Sequence, residues 1–181
     1  MTILTLPSHS AKPQSILTRR NLLAMALATN STTSFALADS AVLKVSGKIT
    51  KHNSADGKSY TLTFSELSRL ANTTITSSTQ YAEKGVFQGP LVRDVLRLVG
   101  LAKDASSVDV VAIDEYQRNI PISDFSKWNV ILAHTWNGRR LTVENKGPFW
   151  VMYPLDQYPN ELQNSETSMK LVWSLVGLVV K

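Results

Sequence analysis

The segment from Asn145 to Pro154 constrains this chain more than any other, because ten residues hold a cation, a glycine, two prolines and three aromatic rings. Its centre, Phe149 to Tyr153, is a run of large apolar and aromatic residues between a Gly-Pro pair and a proline, which predicts a buried strand between two turns. Aromatic rings beside one polar group are also typical of the wall of a small-molecule site. At this point the sequence leaves open whether the ends of the strand line such a site.

The charge of the chain does not favour a nucleic-acid partner. The 181 residues carry a formal net charge of +5, but Lys12, Arg19 and Arg20 lie in the first 38 residues, which contain no acid. Removing these three from the 19 basic residues leaves 16 against 14 acidic residues, so the remainder is nearly neutral. A hydrophobic content of 43% is ample for the core of one domain.

Residues 1–38 have the pattern of an export signal. Arg19-Arg20-Asn21-Leu22-Leu23 leads into a short apolar stretch, and Ala36-Leu37-Ala38 places small residues at the spacing of a cleavage site. The paired arginines resemble a twin-arginine signal, with general secretion as the alternative. We therefore expect a single domain of residues 39–181 in a bacterial periplasm, released by cleavage near Ala38.

The sequence contains no cysteine, which excludes disulfides, zinc–thiolate sites, iron–sulfur clusters and thiol nucleophiles. The two histidines after residue 38, His52 and His134, are 82 positions apart, so a histidine-rich metal centre is not expected. A triad of Ser77 or Ser78 with His134 and Asp114 can be drawn. No nucleophile-elbow glycines surround either serine, however, so a hydrolase is not favoured.

Alternating and periodic apolar residues predict many strands and a few short helices. Strands are predicted at 41–50 with a bulge at Gly47, and at 60–62, 72–80, 107–113, 118–122, 130–136, 149–153 and 169–180. Helices are predicted after the Thr63/Glu66 capping box and over 91–99, with Pro90 in the first turn and Gly100 at the end. Further predictions are a turn capped by Ser123-Asp124, a hairpin at Asn137-Gly138 and a loop over 155–167. Together these elements predict an α+β domain with mixed or mostly antiparallel sheets.

The predicted strand at 72–80 becomes entirely hydroxyl-bearing at Thr76, Ser77, Ser78 and Thr79. Such a run belongs either at the solvent-exposed edge of a sheet or in the polar lining of a pocket, and the sequence alone favours the edge.

Six segments between Val42 and Val180 resemble, in their order and spacing, the molybdopterin-binding domain of the sulfite oxidase superfamily. They are Val-Ser-Gly-Lys-Ile, Thr-Phe-Ser-Glu-Leu, Phe-Gln-Gly-Pro-Leu-Val-Arg-Asp-Val-Leu, Val-Val-Ala-Ile-Asp-Glu-Tyr, Lys-Gly-Pro-Phe-Trp-Val-Met-Tyr-Pro and Leu-Val-Trp-Ser-Leu. The resemblance implies that family's mixed α+β fold, with a pterin cleft formed by several loops.

The departures from this family concern the metal. In the enzymes a cysteine after the strand equivalent to Thr73 to Ser78 ligates molybdenum, whereas this chain reads Ser77-Ser78-Thr79-Gln80-Tyr81. Where the enzymes carry a substrate-binding or phosphate-binding arginine after the Gly-x-Pro turn, this chain has Trp150. Loss of the thiolate together with the cationic contact argues against an anionic, metal-bearing cofactor.

In size, export and its Lys-Gly-Pro-x-Trp stretch, the chain is similar to small cysteine-free periplasmic members of the superfamily that bind reduced pterins without a metal. This similarity implies a non-catalytic protein that, when loaded, regulates a membrane cyclic-di-GMP enzyme, a diguanylate cyclase or phosphodiesterase, through its periplasmic sensor domain. Hydroxyls and Tyr116 would meet the pterin edge, aromatic residues near Trp150 and Tyr153 would stack, and Lys146 would meet the exocyclic oxygen or the side chain. The full set of expected contacts is Ser77, Ser78, Thr79, Tyr81, Tyr116, Lys146, Gly147, Trp150, Tyr153 and Trp173.

Two other classes stay open at the level of the sequence. One is a molybdopterin-dependent oxidoreductase in which serine or solvent replaces the thiolate. The other is a degenerate module that binds no small molecule and acts only through protein contacts.

Overall fold

The computed structural model describes residues 43–181, so the predicted export signal lies outside the described residues. In chain order the strands are β1 (Leu43–Gly47), β2 (Ser59–Leu62), β3 (Asn72–Thr79), β4 (Ala82–Pro90), β5 (Ser107–Ala112), β6 (Gln117–Pro121), β7 (Ile131–Ala133), β8 (Thr135–Trp136), β9 (Arg139–Arg140), β10 (Trp150–Met152) and β11 (Leu175–Val180). The helices are α1 (Phe64–Ser68), α2 (Val92–Val99), α3 (Ile122–Lys127), α4 (Pro159–Leu162) and α5 (Ser165–Lys170), and a 3-10 turn spans Val143–Asn145. None of these helices is long and apolar enough to cross a membrane.

The strands form three sheets. A five-stranded sheet has the order β2-β1-β11-β5-β6, in which β1 and β11 are parallel and the other pairs antiparallel. A four-stranded antiparallel sheet has the order β3-β4-β8-β9, and β10 pairs with β7. The predicted α+β class with mixed, mostly antiparallel sheets is confirmed.

The two short strands β7 and β10 lie in the core. All three residues of β10 are buried, and so are all three residues of β7. The largest fully buried side chains include Trp150, Tyr153, Phe87, Phe125 and Phe149. The segment that we expected to be a buried strand is therefore the centre of the core.

Local signals located several element ends correctly. Thr63 and Glu66 form both bonds of a capping box at the start of α1, and Gly100 ends α2 in the left-handed conformation. The hydroxyl run lies on β3, which is an edge strand of its sheet as the sequence favoured, but Ser77 is fully buried and Ser78 and Thr79 line a cavity. Asn137-Gly138 joins β8 to β9 with positive φ at both residues.

Other boundaries were wrong because tertiary contacts decided them. The predicted strand at 130–136 is split at His134, since β7 pairs with β10 and β8 pairs with β4. The predicted loop at 155–167 contains α4 and the start of α5, and the last strand begins at Leu175 instead of Met169. β4 was missed over its whole length, because its first residues have weak strand propensity and the strand forms by pairing with β3. Pro90 is the last residue of β4 and not part of the first turn of α2. Asp124 does not cap α3, because its carboxylate is hydrogen-bonded to Tyr153 and Lys170.

Gly47 is required by a close approach of two strands, and the predicted bulge is not seen. β1 pairs with β11 and β2 without a shift in register. Gly47 has φ of +87°, and a Cβ built there would lie 2.0 Å from the carbonyl oxygen of Val180. A side chain would therefore meet both backbone strain and a backbone clash.

We expect Gly47→Ala to lower the free energy of unfolding by about 3 kcal/mol, since strain and overpacking add. The matched control is Gly57→Ala, where φ is +64° but nothing lies within 4 Å of the added Cβ; strain alone predicts a loss of about 1 kcal/mol. Urea unfolding of both variants measures the difference, and equal losses would contradict the role of the Val180 contact.

His134 is buried at the junction of β7 and β8. Its Nε2 lies 3.1 Å from Asn72 Oδ1, and its Nδ1 has no hydrogen-bond partner within residues 43–181. Burial, and then the charge of Arg140, lowers the pKa of His134 below its ordinary value of 6.5. The folded protein therefore binds this proton less readily than the unfolded chain does.

We expect the free energy of unfolding to fall as the pH drops below about 6.5, by at most about 1.4 kcal/mol per pH unit from this group. The sign follows because the unfolded chain, in which the His134 pKa is higher, takes up the proton first. The stability that His134 contributes is therefore fully present above the unfolded pKa and is lost as the pH falls toward the folded pKa. Urea unfolding from pH 5 to pH 7.5 measures the slope. His134→Gln should flatten it, whereas His52→Gln, at an exposed position, should retain it. An unchanged slope in His134→Gln would contradict this assignment.

Candidate functional site

A cavity of about 320 Å³ opens between the β5–β6 turn, α5 and the segment before β11. This volume is at the lower end of the range for small-molecule sites. Its lining residues are Tyr81, Ala112, Ile113, Asp114, Tyr116, Ser168, Met169, Leu171, Val172, Trp173 and Ser174.

The segment 171–174 forms one wall and is held from both sides by hydrogen bonds. The Trp150 indole Nε1–H donates to the Leu171 carbonyl at 3.1 Å, and the Val151 N–H donates to the Val172 carbonyl at 2.8 Å. Further along, the Ser174 N–H donates to the carbonyl of Lys146 and the Ser174 carbonyl accepts from Ile113 N–H. The wall that carries Trp173 is thus fixed to the core on one side and to the end of β5 on the other.

The opposite wall is a tight turn between β5 and β6. The Tyr116 N–H donates to Asp114 Oδ1 at 3.2 Å, and the Ala112 N–H donates to the Tyr116 carbonyl. Glu115 takes a positive φ of 68°, which closes the turn. The Tyr116 hydroxyl then reaches across to donate to the Met169 carbonyl on α5 at 3.3 Å.

The surface of this cavity is apolar, and one acidic side chain lies on it. Four of the six exposed large apolar side chains in residues 43–181 lie here, namely Ile113, Tyr116, Met169 and Trp173. Among the lining residues, Asp114 carries the only formal charge. A concentration of exposed rings and aliphatic groups around a few polar atoms is characteristic of a ligand site.

Of the residues predicted from sequence, Tyr81, Tyr116 and Trp173 come together in this cavity. Tyr81 and Trp173 are in edge contact, with ring centroids 4.7 Å apart. Trp173 is 37% exposed and Tyr116 is 45% exposed, so both rings remain accessible to a ligand.

Trp150 and Tyr153 lie behind the cavity wall. Trp150 is fully buried, with the edges of Phe87 and Trp173 packed near its ring. Tyr153 is 1% exposed, and its hydroxyl donates to Asp124 Oδ2 at 2.9 Å. Burial, and then the Asp124 carboxylate, raises the pKa of Tyr153, so the hydroxyl stays protonated.

Lys146 and Gly147 support the same wall. Lys146 Nζ lies 5.6 Å from the ring centroid of Trp150 and 5.9 Å from that of Trp173, within the range of cation–π attraction. Gly147 is buried, and a Cβ there would lie 2.4 Å from the backbone of Leu141, so only glycine fits.

The hydroxyl run does not line the cavity that contains Trp173, and Ser77, Ser78 and Thr79 have three different environments. Ser77 is fully buried, and its Oγ makes no hydrogen bond within residues 43–181. The Ser78 hydroxyl donates to Asp156 Oδ1 at 2.7 Å, and the Thr79 hydroxyl accepts from the N–H groups of Tyr81 and Ala82. Burial alone would raise the pKa of Asp156, but hydrogen bonds from Ser78 and the nearby Lys84 lower it overall.

Ser78 and Thr79 line a second, more open cavity of about 460 Å³. Its other lining residues are Gln80, Leu155, Gln163, Asn164, Ser165 and Ser168, all uncharged. Ser168 of α5 lines both cavities, so the two adjoin along this helix.

Sequence reasoning missed several residues of the first cavity. Met169 was assigned to the last strand and Ser168 to no element, whereas both lie on α5, and no pattern in the sequence places them beside Trp173. Asp114 was considered as the acid of a hydrolase triad, and its spacing to Tyr116 is a signal that could have placed it in the site, since an Asx turn fixes the direction of the carboxylate.

The residues present do not fit a thiolate-bound molybdenum cofactor. The chain has no cysteine, and no three His, Asp or Glu side chains in residues 43–181 are placed to hold a metal ion. The hydroxyls of Ser78 and Thr79 already have partners, and Ser77 lines neither cavity. The hydrolase triad is also not assembled, because Asn72 is the only side chain between Leu43 and Lys181 to which His134 is hydrogen-bonded.

Comparison with known proteins gives one family and one fold. A model of the oxidoreductase molybdopterin binding domain matches residues 38–156, more than half of the chain. A search of curated proteins gave no match. Among solved structures, the sulfane dehydrogenase SoxCD from Paracoccus pantotrophus is similar, with a TM-score of 0.59 at 17% identity. The similarity covers 77% of this chain and only 37% of that one, so it shows a shared domain fold. This chain belongs to the oxidoreductase molybdopterin binding domain family.

Proposed function

We propose that this chain is a periplasmic, non-catalytic protein that binds a reduced, metal-free pterin. When loaded, it regulates a membrane cyclic-di-GMP enzyme through the periplasmic sensor domain of that enzyme. The family supports a pterin-type ligand. The location rests on the export pattern of residues 1–38, and the partner rests on the resemblance to small cysteine-free pterin-binding proteins.

The observation that carries the proposal is the charge of the cavity. Its rings suit a flat heterocycle, but among its lining residues the only formal charge is the carboxylate of Asp114. Molybdopterin carries a phosphate, which a carboxylate repels and which such cofactor sites meet with arginine or lysine. A pterin without phosphate or metal does not require a cationic side chain. The N–H groups of its pyrimidine ring can donate hydrogen bonds to a carboxylate.

The mode of binding follows from the side chains. Trp173 and Tyr116 supply accessible ring surface for stacking, which is worth about 1–3 kcal/mol for a nucleobase-sized heterocycle. Lys146 does not line the cavity, but its Nζ lies 5.9 Å from the centroid of the Trp173 ring and supports this ring by cation–π attraction. A polar substituent on the pterin can extend over α5 into the second cavity, which is lined by hydroxyls and amides.

We expect Trp173→Ala to weaken binding of tetrahydropterin by about tenfold or more, because the stacking surface is lost. Isothermal titration under anaerobic conditions measures the affinity. The matched control is Trp128→Ala, which removes a half-buried tryptophan that packs on Tyr158 outside both cavities. Equal affinity in Trp173→Ala and the native protein would exclude this cavity. Trp150→Ala is not a clean test, because emptying a fully buried site costs about 3–5 kcal/mol of stability.

Protein purified from the periplasm should contain a pterin and no stoichiometric molybdenum. Fluorescence of the small molecules released by denaturation and elemental analysis of the same sample measure the two quantities. Stoichiometric molybdenum would support the oxidoreductase reading instead. Absence of any pterin, together with no uptake of added tetrahydropterin, would support a module that acts through protein contacts alone.

The regulatory role predicts that a strain carrying Trp173→Ala has the cyclic-di-GMP level of a strain lacking the gene. A Trp128→Ala strain should keep the native level. If the two Trp variants give the same cyclic-di-GMP level, pterin binding at this cavity does not control the enzyme.

A further inference from the structure

Asp114 is a charged group on an otherwise neutral, ring-lined surface, and its position is fixed by its own turn. Its Oδ1 accepts the Tyr116 N–H at 3.2 Å, and the turn is closed by bonds between Ala112, Glu115 and Tyr116. A carboxylate has about four lone-pair sites, so most of its accepting capacity remains open. No ion pair joins Asp114 to another side chain within residues 43–181, although Arg118 donates to the sulfur of Met169, which lines the same cavity.

The surroundings of this carboxylate limit what it can bind. Trp173 and Asp114 line the same cavity from different segments, so a flat ligand that stacks on the Trp173 ring can present an edge to the carboxylate. A carboxylate only accepts hydrogen bonds, and it suits best an edge on which two N–H groups stand side by side. The pyrimidine ring of a pterin has this edge, formed by the exocyclic amino group and the adjacent ring N–H.

We propose that Asp114 is the specificity-determining residue of the cavity and selects heterocycles whose pyrimidine edge carries an amino group beside a ring N–H. This inference rests on the proposed function, since it assigns the recognition of the same ligand to one side chain. It adds a chemical rule for discrimination. Lumazine, in which a carbonyl oxygen replaces the amino group of pterin, would place that oxygen against the carboxylate, and the site should reject it.

The test compares tetrahydropterin with tetrahydrolumazine by anaerobic isothermal titration. The native protein should bind the pterin about tenfold or more tightly, because charge-assisted hydrogen bonds are gained with one ligand and an oxygen–oxygen contact is forced with the other. Asp114→Asn should abolish the preference, since an amide can accept from the ring N–H and donate to the adjacent 4-carbonyl of either ligand. The matched control is Glu115→Gln, which makes the same change of charge at the next residue, outside the lining, and should keep the native preference.

The outcomes separate the two proposals. If the native protein binds both ligands equally and Trp173→Ala weakens both, the cavity holds pteridines but the role of Asp114 is overturned. If Asp114→Asn keeps the native preference, that role is likewise overturned. If the native protein binds neither ligand, the proposed function itself fails. Because Asp114 is exposed, thermal unfolding of Asp114→Asn should match that of the native protein, so a changed preference reports on recognition.

Discussion

The hydrogen bond from the Trp150 indole to the Leu171 carbonyl is the contact on which the candidate site depends. It joins a fully buried ring in the central strand β10 to the first residue of the segment that carries Trp173. The next bond, from Val151 N–H to the Val172 carbonyl, continues this attachment. A segment with little regular structure thereby acquires the rigidity of the core, and its one large exposed ring is held at the cavity.

The helix α5, on a further side of the cavity, is anchored by a partly buried ionic cluster. Lys170 at the end of α5 lies 3.0 Å from Asp124 on α3, and the Tyr153 hydroxyl donates to the same carboxylate oxygen. Burial would lower the pKa of Lys170, but bonds to Glu166 and Asp124 raise it overall, so this lysine stays charged. Since α5 carries Ser168 and Met169, the cluster positions the residues of the cavity that face Tyr116. The aromatic residues Trp150 and Tyr153 thus support the two walls from behind, and Trp173 and Tyr116 present the accessible rings.

Most of the fold was predictable from local patterns, and the errors have a common cause. The capping box of α1, the amphipathic helix α2 and the alternation of β5 are local signals, and the structure follows them. β4 was missed because its first residues, Ala-Glu-Lys-Gly, have weak strand propensity and gain their structure from pairing with β3. The break at His134 was equally unpredictable, because the residues before it pair with β10 and the residues after it pair with β4, in two different sheets.

For the site itself, the sequence alone determined which chemistry is available. A chain without cysteine cannot supply a thiolate to a metal, and the clustering of rings between Phe149 and Trp173 indicated a surface for flat ligands. Only the tertiary structure decided which rings are accessible. Trp150 and Trp173 are equivalent as residue types, and burial depends on contacts between segments far apart in the chain. The same contacts brought Asp114 to this cavity and placed Ser78 and Thr79 at the neighbouring one, because side-chain position is set by sheet pairing and chain reversal, which no local pattern encodes.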